Sequence, residues 1–429
     1  MNGDESPRKK TPPKRLGNQL ETGTDTLRFI FVYLFYFIFE KRLSLYFVYL
    51  FYYIECMNNS SLKDANTKAL QTYVLSHPGT SRVEIAKSLG LSKMTVTNIV
   101  TRLLAIGYLE ERDESQKMSK GRPAKGLYLS SNSPKLIGIH ISKSCVSIAF
   151  LDFSFHILSK KTFQANEEAL PALLDEIDRI ARENLNVKIV GIALSSPGDS
   201  SDKSEEKGIL SEADLLRLLN EKYPLPVLRV SALEAEALME LQFGSLKDVS
   251  EGLFIEVGEH LQAIIVHEGK ILSLPGQSKA EFGHISIDYN GLSCECGNRG
   301  CIEAYASTSA MEKKLRDITK LKIDFRGFCE LQSKKNDSRI DWALKDMMDK
   351  LAAALIGYVN LLHPSVIVLS GEGAYLPDRY LSRLEKTVSE KARVQKGVKV
   401  PVRKPATKAD AALLGSIIPA INQILTKSF

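Results

Sequence analysis

Between Glu281 and Glu303 the chain reads EFGHISIDYNGLSCECGNRGCIE, and three of its six cysteines fall there as C-x-C-x4-C: Cys294, Cys296 and Cys301. His284 lies ten residues before the first of them. Three thiolates and one imidazole make a complete tetrahedral donor set, the closed shell that Zn²⁺ takes in structural sites. The spacing therefore predicts a structural zinc held by His284, Cys294, Cys296 and Cys301, with Gly297 and Gly300 supplying the permissive backbone that folds three sulfurs around one ion. A catalytic zinc fits poorly, because such a shell leaves no open position for water. Reduced cysteines in a turn, or a redox pair, are the plainer alternatives. The other cysteines, Cys56, Cys145 and Cys329, are scattered without framework spacing, which points to a reducing compartment and a cytoplasmic protein.

At 429 residues the chain is long enough for two or three domains. Its charge is unevenly placed. Residues 57–130 carry 11 Lys+Arg against 6 Asp+Glu, whereas the remainder after them carries 38 against 39. A short basic segment before a neutral body suggests a polyanion-binding module attached to a ligand or catalytic domain.

Ahead of that module, residues 1–56 form an extension of different character. In 29–54, 13 of 26 positions are Phe or Tyr, in two apolar runs split by Glu40-Lys41-Arg42. Each run is shorter than the roughly 20 residues a membrane-spanning helix needs, and no small-residue cleavage site follows. An interfacial anchor, an aggregation-prone appendage and a start codon placed too early are the open readings. The last is preferred, since Met57-Asn-Asn-Ser-Ser begins an ordinary polar lead-in, and no membrane association is expected.

Residues 57–130 are predicted to form a winged helix-turn-helix. A helix over roughly Leu62 to Leu75 is stopped by His77-Pro78-Gly79. Ser81 and Glu84 then make a capping box for a second helix, with Ile85, Ala86 and Leu89 facing inward, and Gly90 makes the turn. Ser92 caps a third helix whose Val96, Ile99, Val100, Leu103 and Leu104 follow helical apolar spacing. Its remaining faces carry Ser92, Lys93, Thr95, Thr97, Asn98 and Arg102, the expected DNA contacts in a major groove. YLEER and GLYLS flank a polar loop with Gly121-Arg122-Pro123, the predicted wing, and Arg122 is expected in a narrow A·T-rich minor groove.

From 131 to 429 buried strands alternate with amphipathic helices, the pattern of an α/β fold. LIGIHI, CVSIAFLDF, KIVGIAL, GLFIEV, QAIIVHEG and SVIVLSG read as strands. ALPALLDEIDRIARENL, ALEAEALMELQF and WALKDMMDKLAAALIGYVNLL read as helices.

The E-x-G-H of Glu281–His284, followed by C-x-C-G-x-x-G-C-x-E through Glu303, resembles the signature of the ROK family of repressors, open reading frames and kinases. The resemblance implies a two-lobed actin-like ATPase fold of the ribonuclease H-like class, preceded here by the small winged helix-turn-helix. It also implies a sugar pocket in which Glu281, His284 and Glu303 are the contacts, His284 serving zinc with one ring nitrogen and sugar with the other. Outside the motif, Glu281 and Glu303 read as surface carboxylates. The kinases of the family carry two glycine-rich phosphate loops and an Asn-Asp pair. Here the loops read His140-Ile-Ser142-Lys143-Ser144 and Glu256-Val-Gly258-Glu259-His260, and the pair falls on Ser231 and Ala232. An alanine cannot accept a proton, and losing a positioned general base costs about 10²–10⁴ in rate. The expectation is therefore a non-enzymatic transcriptional regulator, a repressor of sugar-metabolism genes. It would bind a double-stranded operator as a homodimer or higher oligomer and respond to a sugar or sugar phosphate. The alternative is an active sugar kinase, of glucose or N-acetylglucosamine type, bearing a DNA-binding head.

Overall fold

A computed structural model describes residues 65–67, 69–75, 77–113, 125–130, 133–184, 189–196, 212–272, 279–393, 399–407 and 410–427. The extension of 1–56 and the wing residue Arg122 lie outside the described residues. The account below concerns the unit that runs from Lys68 to Phe429.

Its first part is helical at 69–75 and then forms α1 (Arg82–Leu89) and α2 (Lys93–Ala105). Ser81 and Glu84 close the capping box reciprocally, at 3.3 Å from Glu84 N to Ser81 Oγ and 2.8 Å from Ser81 N to Glu84 Oε2. Gly90 ends α1 at φ 64°, a left-handed conformation glycine adopts without penalty. The hairpin β1 (Leu109–Asp113) and β2 (Lys125–Leu129) follows, and Thr80 bridges to Leu127 so that the turn before α1 pairs with the hairpin.

Two mixed sheets make up the rest. The first has the order β5-β4-β3-β6-β7, from β3 (Lys135–Ile141), β4 (Cys145–Asp152), β5 (Ile157–Gln164), β6 (Ile189–Ser196) and β7 (Val227–Ser231). Its β3–β4–β5 part is antiparallel, while β6 and β7 run parallel to β3. The second sheet repeats this plan: β8 (Gly252–Val257) pairs antiparallel with β9 (Leu261–His267), and β12 (Val366–Gly371) and β13 (Val402–Arg403) add in parallel. Short strands β10 (Lys270–Ile271) and β11 (Lys279–Ala280) complete the outer edge on β9.

Each sheet is covered on both faces. Helices α3 (Ala169–Glu183) and α4 (Glu212–Lys222) bury Leu173, Ile177, Leu215 and Leu219 against Ile139, Ile148 and Ile192 of the first sheet. On the second sheet, strand alternation sends Leu253, Ile255 and Val257 toward five helices: α6 (Glu303–Ala306), α7 (Thr308–Thr319), α8 (Phe325–Lys335), α9 (Ser338–Leu362) and α10 (Asp378–Lys391). Phe254, Val366 and Val368 turn the other way, onto α5 (Ala232–Phe243). Helix α5 also meets the last helix, α11 (Ala411–Lys427), so closely that a β-carbon on Gly415 would lie 1.8 Å from the Ala235 carbonyl oxygen.

At the end of α5, Glu240 is fully buried and clasps the chain where it leaves for the second sheet and where it returns. Its Oε2 accepts from Ser245 N at 2.6 Å and Ala406 N at 3.1 Å. Its Oε1 accepts from Thr407 N at 2.7 Å and from the Thr407 hydroxyl.

The hydrophobic core runs without a break from the helix-turn-helix into the first sheet. Leu70, Val74, Ile85, Val100 and Tyr108 share one cluster with Leu136, Leu151 and Phe153 of the first sheet and Leu413, Ile417 and Ile421 of α11. The Tyr108 and Phe153 rings lie 5.7 Å apart. Strand β5 had no signal in the sequence because ILSKKTFQ is an edge strand with almost no buried side chain, so burial imposes no alternation on it.

Candidate functional site

The 3₁₀ turn Phe282–His284 and the loop from Ser286 to Cys301 bring His284, Cys294, Cys296 and Cys301 together, with one donor atom from each within 4.8 Å of all the others. Cys296 Sγ and Cys301 Sγ are 3.7 Å apart, as are Cys294 Sγ and His284 Nδ1. A tetrahedral ion with bonds of about 2.0–2.3 Å sets its ligand atoms about 3.5–3.8 Å apart, so these two pairs have the spacing of a tetrahedral metal site, while the four donors together, spread over up to 4.8 Å, have to draw in to close on one ion. Burial and the neighbouring sulfurs push the Cys301 thiol up to about 12, which opposes three thiolates at one point unless a cation offsets their charge. Among the described residues no cysteine is in a disulfide.

Backbone geometry builds the knot. Cys294 N donates to Asn298 O at 2.9 Å and Gly297 N to Cys294 O at 3.0 Å, with Gly297 at φ 88°. Gly300 sits at φ 68° against Asp288, where a β-carbon would come within 1.7 Å of the Asp288 carbonyl oxygen. Only glycine fits there.

Of the three expected sugar contacts, Glu303 opens α6 and turns back to the 3₁₀ turn. Its Oε2 accepts from Leu261 N at 2.9 Å, and a β-carbon on Gly283 would lie 2.5 Å from that same oxygen. Glu281 immediately precedes the 3₁₀ turn, makes no side-chain capping bond to it and is exposed. With Nδ1 of His284 turned to Cys294, Nε2 is the ring nitrogen left for another partner. His260 Nδ1 approaches Glu303 Oε1 at 3.5 Å, a neighbour only the folded chain reveals.

The two turns expected from the sequence as phosphate-loop counterparts are tied by side-chain contacts. Between β3 and β4, Ser142 closes the turn on itself: its hydroxyl accepts from Cys145 N at 3.1 Å and its own N–H donates to Cys145 O at 2.9 Å. Lys143 of that turn forms an ion pair with Glu259 of the β8–β9 turn. Ser231 caps α5, its hydroxyl accepting from Glu234 N at 3.1 Å, and Ala232 is the first helical residue. One turn on, Glu236 is a carboxylate that no local motif singles out. Burial, with Glu256 and Glu240 nearby, raises it to about 7. Glu256 lies on the Phe254 side of β8, and burial raises it as well, against Lys279 and His260.

In the helix-turn-helix, Val96, Ile99, Val100 and Leu103 are buried while Lys93 and Asn98 are exposed and Thr95, Thr97 and Arg102 half-buried. The Ser92 hydroxyl is engaged with Thr95, at 3.0 Å from its N–H and 2.8 Å from its Oγ1.

The family model for the ROK family matches residues 136–422. The chain belongs to the ROK family. A winged helix-turn-helix DNA-binding model matches 64–110, so this ROK protein carries a DNA-binding fold ahead of its kinase-like body. A putative xylose repressor from Caldicellulosiruptor sp. (strain Rt8B.4) is 25% identical over 394 residues, covering 86% of this chain and 98% of the relative. An N-acetylglucosamine repressor from Escherichia coli O157:H7 is 23% identical over 354 residues, covering 78% and 87%. The crystal structure of a ROK family transcriptional regulator, a homologue of the E. coli MLC protein, superposes with TM-score 0.70 at 22% identity, over 85% of this chain and 97% of that one. A ROK hexokinase from Thermus thermophilus gives 0.57 at 22%, over 68% of this chain and 99% of that one. Among the described residues no helix is long and apolar enough to cross a membrane.

Proposed function

We propose that this ROK protein is a sequence-specific DNA-binding repressor of sugar-metabolism genes, with the helix-turn-helix of 57–130 reading an operator and the body of 131–429 sensing a sugar or sugar phosphate without phosphorylating it. The observation that carries the reading is the pairing of a DNA-reading head with a body that has Ala232 at the general-base position. Three features support the loss of phosphoryl transfer: the methyl group of Ala232, the Ser142 turn closed on its own amides, and the Lys143–Glu259 pair across the phosphate loops. Extensive coverage of relatives named repressors supports the regulatory role.

Glu281, His284 and Glu303 would take the sugar hydroxyls, and His284, Cys294, Cys296 and Cys301 would hold a structural zinc. The metal would supply cross-linking and fix the imidazole tautomer. Ser92, Lys93, Thr95, Thr97, Asn98, Arg102 and Arg122 would face DNA. A cytoplasmic homodimer would set two heads on successive major grooves. Because the head shares its core with the first sheet and α11, lobe movement on sugar binding would be carried into head spacing.

The deciding experiment selects genomic fragments on the full chain, repeats the selection with xylose, N-acetylglucosamine and their phosphates, and runs a coupled ATP assay alongside. Enrichment of one operator motif, shifted by one sugar, is the expected result. No enrichment, or sugar-dependent ATP turnover, would overturn the reading in favour of the kinase.

A further inference from the structure

Helix α2 divides its side chains sharply. Val96, Ile99, Val100 and Leu103 are at most 6% exposed, and the hydroxyls of Ser92 and Thr95 are engaged with each other in the cap. What projects from the first two turns is then Lys93, Met94 and Asn98. Met94 is the odd member. It is 70% exposed and stands outside the hydrophobic cluster that takes in its helix. A long apolar side chain gains nothing from that position in the free protein. It gains a partner when the N-terminal turns of α2 enter a major groove.

The groove edge has one apolar group, the C5-methyl of thymine, and adenine is the base whose N6 and N7 fit an asparagine amide in two hydrogen bonds. Met94 and Asn98 are four residues apart and so lie on one face of α2, about 6 Å apart along its axis, the rise of about two base-pair steps. The unbranched thioether of methionine bends to meet a small apolar target.

We propose that Met94 is a specificity-determining residue that packs on the methyl of one thymine in each half-site, while Asn98 reads an adenine within two base pairs of it. The assignment rests on the regulator reading above. It explains a residue that neither the fold nor the phosphate contacts need, and it makes that step of the operator A·T on chemical grounds.

The test uses the full chain and the motif from the fragment selection, with each thymine replaced in turn by deoxyuridine, which differs only by the missing methyl. For the unsubstituted protein, one position per half-site is expected to lose affinity by about fourfold, the value of one buried methyl-sized group. Met94→Ala should bind the thymine operator about as weakly as the unsubstituted protein binds the deoxyuridine one, and should show no further loss on deoxyuridine. Met94→Leu should keep the sensitivity, and Asn98→Ala should lose the adenine preference at the neighbouring pair. Unchanged circular dichroism and unchanged salt-dependent binding to random DNA establish that the variants are folded. A Met94→Ala protein with the full deoxyuridine penalty would overturn the assignment, and so would an unsubstituted protein insensitive to every thymine methyl, with the regulator reading left standing. A chain that selects no motif refutes that reading first and this one with it.

Discussion

Glu240→Ala tests whether the two crossings between the sheets are held by one carboxylate. Four donors, Ser245 N, Ala406 N, Thr407 N and the Thr407 hydroxyl, converge on its two oxygens, and Glu240 itself is fully buried. The three backbone N–H groups have no hydroxyl to rotate, and each costs about 1–3 kcal/mol if left buried and unpaired. Partial entry of water through the shortened side chain lowers the sum, so a loss of about 3–5 kcal/mol is expected. Glu240→Gln is the milder change. Its oxygen can face one pair of donors, its amide NH₂ then opposes the other pair, and about 2–3 kcal/mol should be lost. Urea unfolding followed by circular dichroism gives both values from midpoint and slope. Hydrogen exchange at Ala406 and Thr407 should rise in step, because those amides lose their acceptor first. A Glu240→Ala protein within about 1 kcal/mol of the parent, with both amides still protected, would refute the clasp.

Three further outcomes follow from the same geometry. Glu236 is raised to about 7 from an ordinary 4.5, so the folded state holds its proton more tightly than the unfolded chain. Its contribution is fully present below about pH 4.5 and is lost as the pH rises through 7; Glu236→Gln should flatten that part of the stability profile. Gly300→Ala should cost several kcal/mol or prevent folding, since its β-carbon would strike Asp288 O in a left-handed conformation, whereas Gly297→Ala, with nothing within 4 Å, should cost only about 1 kcal/mol of backbone strain. Thermal unfolding of the two variants should rank them in that order. Metal analysis should find one zinc per chain, Cys294→Ser should reduce it, and chelation should lower the melting temperature of the parent protein while leaving a variant already lacking metal unmoved.

Much of the helix-turn-helix is legible in the sequence because its determinants are local. Ser81 and Glu84 are three residues apart, Gly90 closes α1 within its own turn, and the buried stripe of α2 recurs at helical spacing. The four zinc-type donors are equally local, all within eighteen positions, so the loop that joins them has few ways to fold. The six apolar strand segments of the body could be read because burial on both faces requires continuous apolar runs. Edge strand β5 and the polar helices α4, α8 and α10 satisfy weaker constraints, and their boundaries come from packing.

Distance along the chain sets the remaining limit. Glu240 meets Thr407 across 167 positions, Lys143 meets Glu259 across 116, and Glu303 meets Leu261 across 42. Nothing in the residues near Glu240 or Glu236 announces a hinge clasp or a carboxylate held near neutrality, because both properties come from groups delivered by other strands. Composition and spacing alone determined which side chains are chemically capable: thiols and an imidazole suited to a metal, and a capped amphipathic helix suited to a groove. Tertiary structure alone decided which of them face one another across the chain and that Met94, among other apolar side chains, is left exposed. Those outcomes depend on solvent exclusion and on contacts between distant segments, and neither is written in any local stretch of the chain.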